Sequence, residues 1–190
     1  MTFSELVERA LRQLNAGQPQ PHTWPDSSID IAACVMQARD ALAHEVMMDS
    51  SRRAWLQQEW SLALDGDGKG DLSAATASVA GEIILDGLRY GVVLDADSNI
   101  LQPITHYLDF LRPQAVVYGY YCLKDRAVLT RAINTPVNTP LDIVGATGPL
   151  TITANYVPGA VDGFPPDLEA DLVNTLCKIV ATKIATPANA

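Results

Sequence analysis

Few of the residues that announce a chemistry are present in this chain. It has only three cysteines, Cys34, Cys122 and Cys177, which are odd in number, far apart and each in an apolar setting. That excludes a disulfide framework and predicts buried free thiols in a reducing compartment. The three histidines, His22, His44 and His106, share no motif spacing with a cysteine or a carboxylate, so neither a metal set nor a Cys–His nucleophile pair is legible. There is no G-x-S-x-G elbow, P-loop or G-x-G-x-x-G. The sequence therefore predicts a protein that is not an enzyme and holds no metal or cofactor.

Charge is scarce too. Charged residues make up 18% of the chain, against about a quarter in a typical soluble domain, as expected where neighbours cover part of the surface. The 13 Lys and Arg are outweighed by 22 Asp and Glu, for a net charge of −9. A grip on nucleic acid needs a basic patch, which this balance argues against. An acidic wall that DNA slides past remains compatible, because it repels phosphates. No apolar run approaches the roughly 18 residues of a membrane span. The N-terminus, MTFSELVERALRQLNAG, has acids among its apolar residues and no basic n-region, unlike a signal peptide. A soluble chain made inside the cell is expected.

What is present suits one domain over residues 1–190, since 48% of the residues are hydrophobic and the length can bury a real core. Thr2 and Glu5 form a T-x-x-E capping box, followed at helical spacing by Phe3, Leu6, Val7, Ala10, Leu11 and Leu14. Gly17 ends this helix, and QPQPHTWP (Gln18 to Pro25) is a stiff connector. A second helix starts near Asp26 to Ser28 and runs to about Met48, with Ile31, Val35, Ala38, Leu42 and Val46 on one face. The two make a helical hairpin over 1–50.

From 58 to 158 the period changes to two. Strands are expected around Trp60–Leu64, then at Glu82–Leu85, Gly91–Leu94, Val116–Leu123, Ala127–Arg131 and Leu150–Tyr156. Lys124-Asp125-Arg126 reads as a hairpin tip, and Asn134 to Gly148 as a loop. Over 164–186, Pro165 and Pro166 open a final helix with acids in its first turn and Leu168, Leu172, Leu176, Ile179, Val180 and Ile184 on its apolar face. The fold class is α+β: an N-terminal helical hairpin and a C-terminal helix packed together, with an antiparallel β-rich middle forming a sandwich or small barrel.

Two segments invite a functional reading. DGDGKGD (Asp65 to Asp71) approaches a calcium loop, but Lys69 stands at the fifth position and Thr76 at the twelfth, where the loop needs an oxygen ligand and a bidentate Glu. A solvated turn is the better reading. The stretch Gly87–Arg131 gathers Tyr90, Tyr107, Phe110, Tyr118, Tyr120 and Tyr121 around short apolar runs. On a strand, Tyr118 and Tyr120 share a face and Tyr121 takes the other. Either face packs on the helices, or it meets another subunit, where Tyr offers large area and a polar tip. Tyr118, Tyr120, Tyr121, Arg112 and Arg131 are the candidate subunit or partner interface, although each arginine is as readily paired locally.

The order of parts resembles the head-to-tail connector proteins of tailed bacteriophages, the adaptor rings beneath the portal. The likeness lies in the helical hairpin Thr2 to Met48, the strand-rich middle with Leu101-Gln102-Pro103-Ile104 and Tyr118-Gly119-Tyr120-Tyr121, the late strand Leu150 to Pro158, and the acidic, Pro-led helix Pro165 to Leu172. The resemblance implies a homo-oligomeric ring, twelve copies to match the portal. It further implies a portal protein above, a tail or next neck protein below, DNA passing through without specific binding, and a place in the virion neck. In that family the final helix often packs back on the hairpin. Another neck or tail-completion protein is the nearest alternative. A small-ligand binding module with aromatic strands around a pocket is the alternative from another class.

Overall fold

The computed structural model describes residues 1–16, 24, 28–111, 119–131 and 145–185. Gly17, the connector apart from Trp24, the segments 112–118 and 132–144 and the tail 186–190 lie outside the described residues. The chain forms two compact units, one of Met1–Leu56 with Val157–Ala190 and the other of Gln57–Tyr156. The described elements run α1 (Phe3–Leu14), α2 (Ile31–Met48), β1 (Gln57–Leu62), β2 (Lys69–Asp71), β3 (Thr76–Ala77), β4 (Gly81–Ile83) and β5 (Val92–Leu94). They continue with β6 (Gln102–Pro103), α3 (Tyr107–Leu111), β7 (Gly119–Cys122), β8 (Ala127–Arg131), β9 (Leu150–Pro158) and α4 (Glu169–Ala185). The α+β class expected from the sequence is what the chain adopts.

In the helical unit the capping box forms as read. The Glu5 N–H donates to Thr2 Oγ1 at 3.2 Å, and the Thr2 N–H donates to Glu5 Oε2 at 2.7 Å. Asp30 caps α2, accepting from the Ala33 N–H at 3.1 Å. α4 packs along both α1 and α2 and is the element the two N-terminal helices share. Leu6 of α1, Leu42 and Val46 of α2, and Leu172, Leu176 and Val180 of α4 are all fully buried. Each contributes about 1.5–3 kcal/mol by leaving water, while Ala10 and Ala38, also buried, let the backbones approach. Where α2 ends and α4 begins, Arg52 donates to Asp49 Oδ2 (2.9 Å), Asp171 Oδ2 (2.6 Å) and Glu45 Oε1 (3.2 Å).

The strand-rich unit holds two sheets. In the first, the order is β3-β1-β9, with β4 and β5 both along the far edge of β9. Trp60 and Val93 flank Ile152 in register, and the alternation Leu150, Ile152, Ala154, Tyr156 along β9 is buried. The second sheet runs β2-β8-β7-β6, antiparallel except for the parallel β6–β7 pair. It is not a closed barrel. β4 stops at Ile83, short of the strand expected to Leu85, because the Gly87 N–H turns back to the Ile84 carbonyl at 2.8 Å and a 3-10 segment, Leu85–Tyr90, follows.

Three hairpin loops share one geometry. In Asp65–Lys69, Asp95–Asn99 and Leu123–Ala127, the first N–H donates to the fifth carbonyl (2.8, 3.0 and 2.8 Å) and the fourth N–H to the first carbonyl (3.1, 3.0 and 3.0 Å). The fourth residue takes a positive φ: Gly68 at 75°, Ser98 at 65° and Arg126 at 71°. This is the three-residue hairpin loop with a left-handed closing residue. In the first two loops an aspartate oxygen reinforces the turn. Asp65 Oδ1 accepts from Asp67 N–H (2.9 Å) and Lys69 N–H (2.8 Å), and Asp95 Oδ1 from Asp97 N–H (3.0 Å) and Asn99 N–H (2.8 Å). DGDGKGD is accordingly a turn whose leading carboxylate binds its own backbone. A side chain on Gly68 would lie 2.4 Å from the Gly145 Cα, so the two backbones meet where only glycines fit.

Candidate interaction surface on the strand-rich unit

β7 carries the aromatic pair, and its period of two sends the rings to opposite faces. Tyr120 points inward, is 5% exposed, and donates its hydroxyl to the Leu88 carbonyl at 3.3 Å. Burial pushes its pKa up to about 12, because the phenolate would lose hydration without a compensating cation. Tyr120 is thus a core residue of this chain. Tyr121 faces outward and half-buried, its ring centroid 5.6 Å from that of Tyr107 at an interplanar angle of 49°. Such a tilted contact lies in the favourable aromatic range.

Register extends this outward face. Tyr121 pairs with Leu129, which also pairs with Lys69, so the three form a row across β7, β8 and β2. Arg131, opposite Gly119, stands two residues further along the same face and is half-buried. Beside the row, Tyr107 is 46% and Leu108 67% exposed. Of the interface residues expected from the sequence, Tyr121 and Arg131 share this face and Tyr120 does not. Tyr118 and Arg112 lie outside the described residues.

The same strand lines an open groove of about 400 Å³, to which both Tyr120 and Tyr121 contribute. Leu88, Ile104 and Tyr120 give it an apolar lining, Cys122 contributes a half-buried thiol, and Arg89 and Lys124 bring positive charge. Desolvation raises the Cys122 pKa, which keeps the thiol protonated and a poor nucleophile. The neighbouring hairpin tip is tied down by Arg126, which bonds Glu82 and the Ile83 carbonyl.

Sequence reasoning missed this groove and α3 with Leu108. The spacing Tyr107-Leu108-Asp109-Phe110-Leu111 carried a helical signal, but only five residues long. The groove joins Leu85–Arg89, Pro103–Thr105 and Tyr120–Lys124, segments that the parallel β6–β7 pairing and the Tyr120–Leu88 hydrogen bond bring together. All three cysteines are free, Cys34 and Cys177 buried and Cys122 half-buried. Among the described residues no group of three or more His, Cys, Asp or Glu is placed to hold a metal ion, and no helix is long and apolar enough to cross a membrane. No family model matches the chain, and no curated protein matches it in sequence.

Proposed function

We propose that this chain is a structural protein of a tailed-phage virion rather than an enzyme. Twelve copies form an adaptor ring in the neck, between portal and tail, and DNA passes through. The observation that carries the reading is α4 packing on both α1 and α2, with a strand-rich unit inserted between the N-terminal helices and the last one. That is the order of parts the connector resemblance implies. The outward Tyr107, Tyr121 and Leu108 supply the kind of aromatic and aliphatic area that subunit contacts favour, and the net charge of −9 suits a wall to which phosphates do not adhere. The partners are further copies of the chain, a portal protein, and a tail or next neck protein. Electron microscopy of particles from the chain's own source tests this. A ring of density beneath the portal that fits these two units is expected. A neck fully accounted for by other chains overturns the proposal.

The Tyr120–Tyr121 groove favours one further reading, a module that binds a small ligand. A ligand panel read by thermal shift, with the protein monomeric at high concentration, would favour it over assembly.

A further inference from the structure

We infer that the groove beside β7 receives the Asp97–Ile100 edge of the hairpin loop of a second copy of this chain. The inference rests on the assembly role proposed above and names the surfaces that meet. Leu88, Ile104 and Tyr120 give the groove an apolar lining suited to a branched aliphatic side chain. Ile100, 58% exposed directly after the Asp95–Asn99 turn, offers one. Among the described residues an isolated bridge to Leu94 holds Ile100, whereas the next residue, Leu101, is buried.

Charge selects the orientation. At the groove, Arg126 is committed to Glu82, and Arg89 reaches Asp86 only at 3.9 Å with both side chains about three-quarters exposed, a pair of little strength. Asp125 caps its own turn through the Ala127 N–H, and no described carboxylate forms an ion pair with Lys124. Three cations thus offset three acids at this end. The other end is acidic. The turns with Asp65, Asp67, Asp95 and Asp97 lie side by side against one segment, since Gly145 meets Gly68 and Gly148 meets Ala96, with Lys69 and Arg131 the cations nearby among the described residues. In a chain of net charge −9, an acidic loop meets balanced charge among the described residues at the groove end, with Lys124 and Arg89 available to its carboxylates.

Lys124 and the acidic turns sit at opposite ends of β8, while the groove's Tyr120 lies across from Thr130. Lys124–Arg126 precedes its first residue, and Gly68 accepts from the Thr130 N–H near its last. Five residues at about 3.4 Å each separate them by about 17 Å. Two different, complementary surfaces on one chain produce head-to-tail association, which closes into a ring if the rotation allows.

A charge swap tests this, because Asp97 and Lys124 are both exposed and their side chains hold no turn or strand. Sedimentation velocity is run on the full chain at low salt, alone and with the portal. Lys124→Glu sets like charges at every groove contact, and so does Asp97→Lys. Each variant by itself is expected to associate at least about ten-fold more weakly than the unaltered chain. Mixed one to one, they alternate, every contact again pairs opposite charges, and association returns. Ile100→Ser weakens association in either background. Unchanged association of Lys124→Glu, or a mixture no better than its components, overturns the groove contact and leaves the assembly reading standing. An unaltered chain that stays monomeric at every concentration, with and without the portal, overturns both.

Discussion

The helical and strand-rich units are held together by different means. In the helical unit the largest fully buried side chains are leucines, from α1, α2, α4 and the 3-10 segments that hold Leu56 and Leu168, and Asn15 is its one buried polar residue among those described. The strand-rich unit also buries leucines and isoleucines, but encloses Asp95, Thr130 and Asn155 as well. Its strands are two to nine residues long, and side-chain bonds to loop backbone link them. Apolar burial is non-directional and tolerates small shifts. A buried polar atom that loses its partner leaves the full desolvation cost behind. The first unit should therefore fail by degrees of volume, and the second by single lost bonds.

The largest effect expected from this contrast is in the helical core. Leu176→Ala should destabilise the protein by about 2–5 kcal/mol, measured by urea unfolding, and Leu176→Met should cost less than about 1.5 kcal/mol. In the strand-rich unit a change that conserves volume should be costly. Thr130 Oγ1 donates to the Gly68 carbonyl at 2.6 Å and accepts from the Ala146 N–H at 2.8 Å. Thr130→Val fills the same space, yet leaves the Ala146 N–H without its acceptor and the Gly68 carbonyl with the Thr130 N–H alone, and is expected to cost about 1–3 kcal/mol. If Thr130→Val proved as mild as Leu176→Met, the distinction between the units would fall.

Within the helical unit Arg52 gathers three acidic partners. Its three partly exposed ion pairs should together contribute roughly 1 kcal/mol, lost in Arg52→Ala. Asp49, one of its partners, has a pKa lowered from 3.8 to about 2, chiefly by the hydroxyl and amide of Ser51 and then by Arg52. A depressed carboxylate stabilises the fold above its unfolded pKa, and that contribution fades as pH falls from about 4 to about 2. Ser51→Ala and Arg52→Ala should therefore each flatten stability against pH in this window, the residue-51 amide holding part of the shift in both, as acid titrations followed by circular dichroism would reveal.

The smallest expected effect has the opposite sign. Ser98 takes the left-handed conformation that Gly68 fills in the matching loop, at a cost of about 1–2 kcal/mol for a side chain other than glycine. Ser98→Gly should recover part of that, raising the melting temperature slightly. A fall would mean that the two loops are not equivalent.

The same contrast explains what was legible in the sequence. A helix displays its buried face through a period that covers a dozen residues or more, so α1, α2 and the apolar stripe of α4 can be read directly. Strands of two or three residues carry no such period: β4 and β5 were foreseen from their apolar runs, whereas β2, β3 and β6, which lack one, were not. The hairpin tip at Lys124–Arg126 was, because turn residues sit between two clear strands. For the candidate surface, alternation correctly separates Tyr120 from Tyr121, but which ring faces the core depends on Leu88, 32 residues away. The groove depends on a parallel pairing that no local pattern encodes.

The central claim, that the chain exists to assemble, is tested most directly by mixing it with the portal protein from its own source and weighing the products by light scattering after size exclusion. The account predicts a complex heavier than the portal by many copies of the chain, twelve for a full ring. A chain that elutes as an unchanged monomer beside an unchanged portal would contradict it.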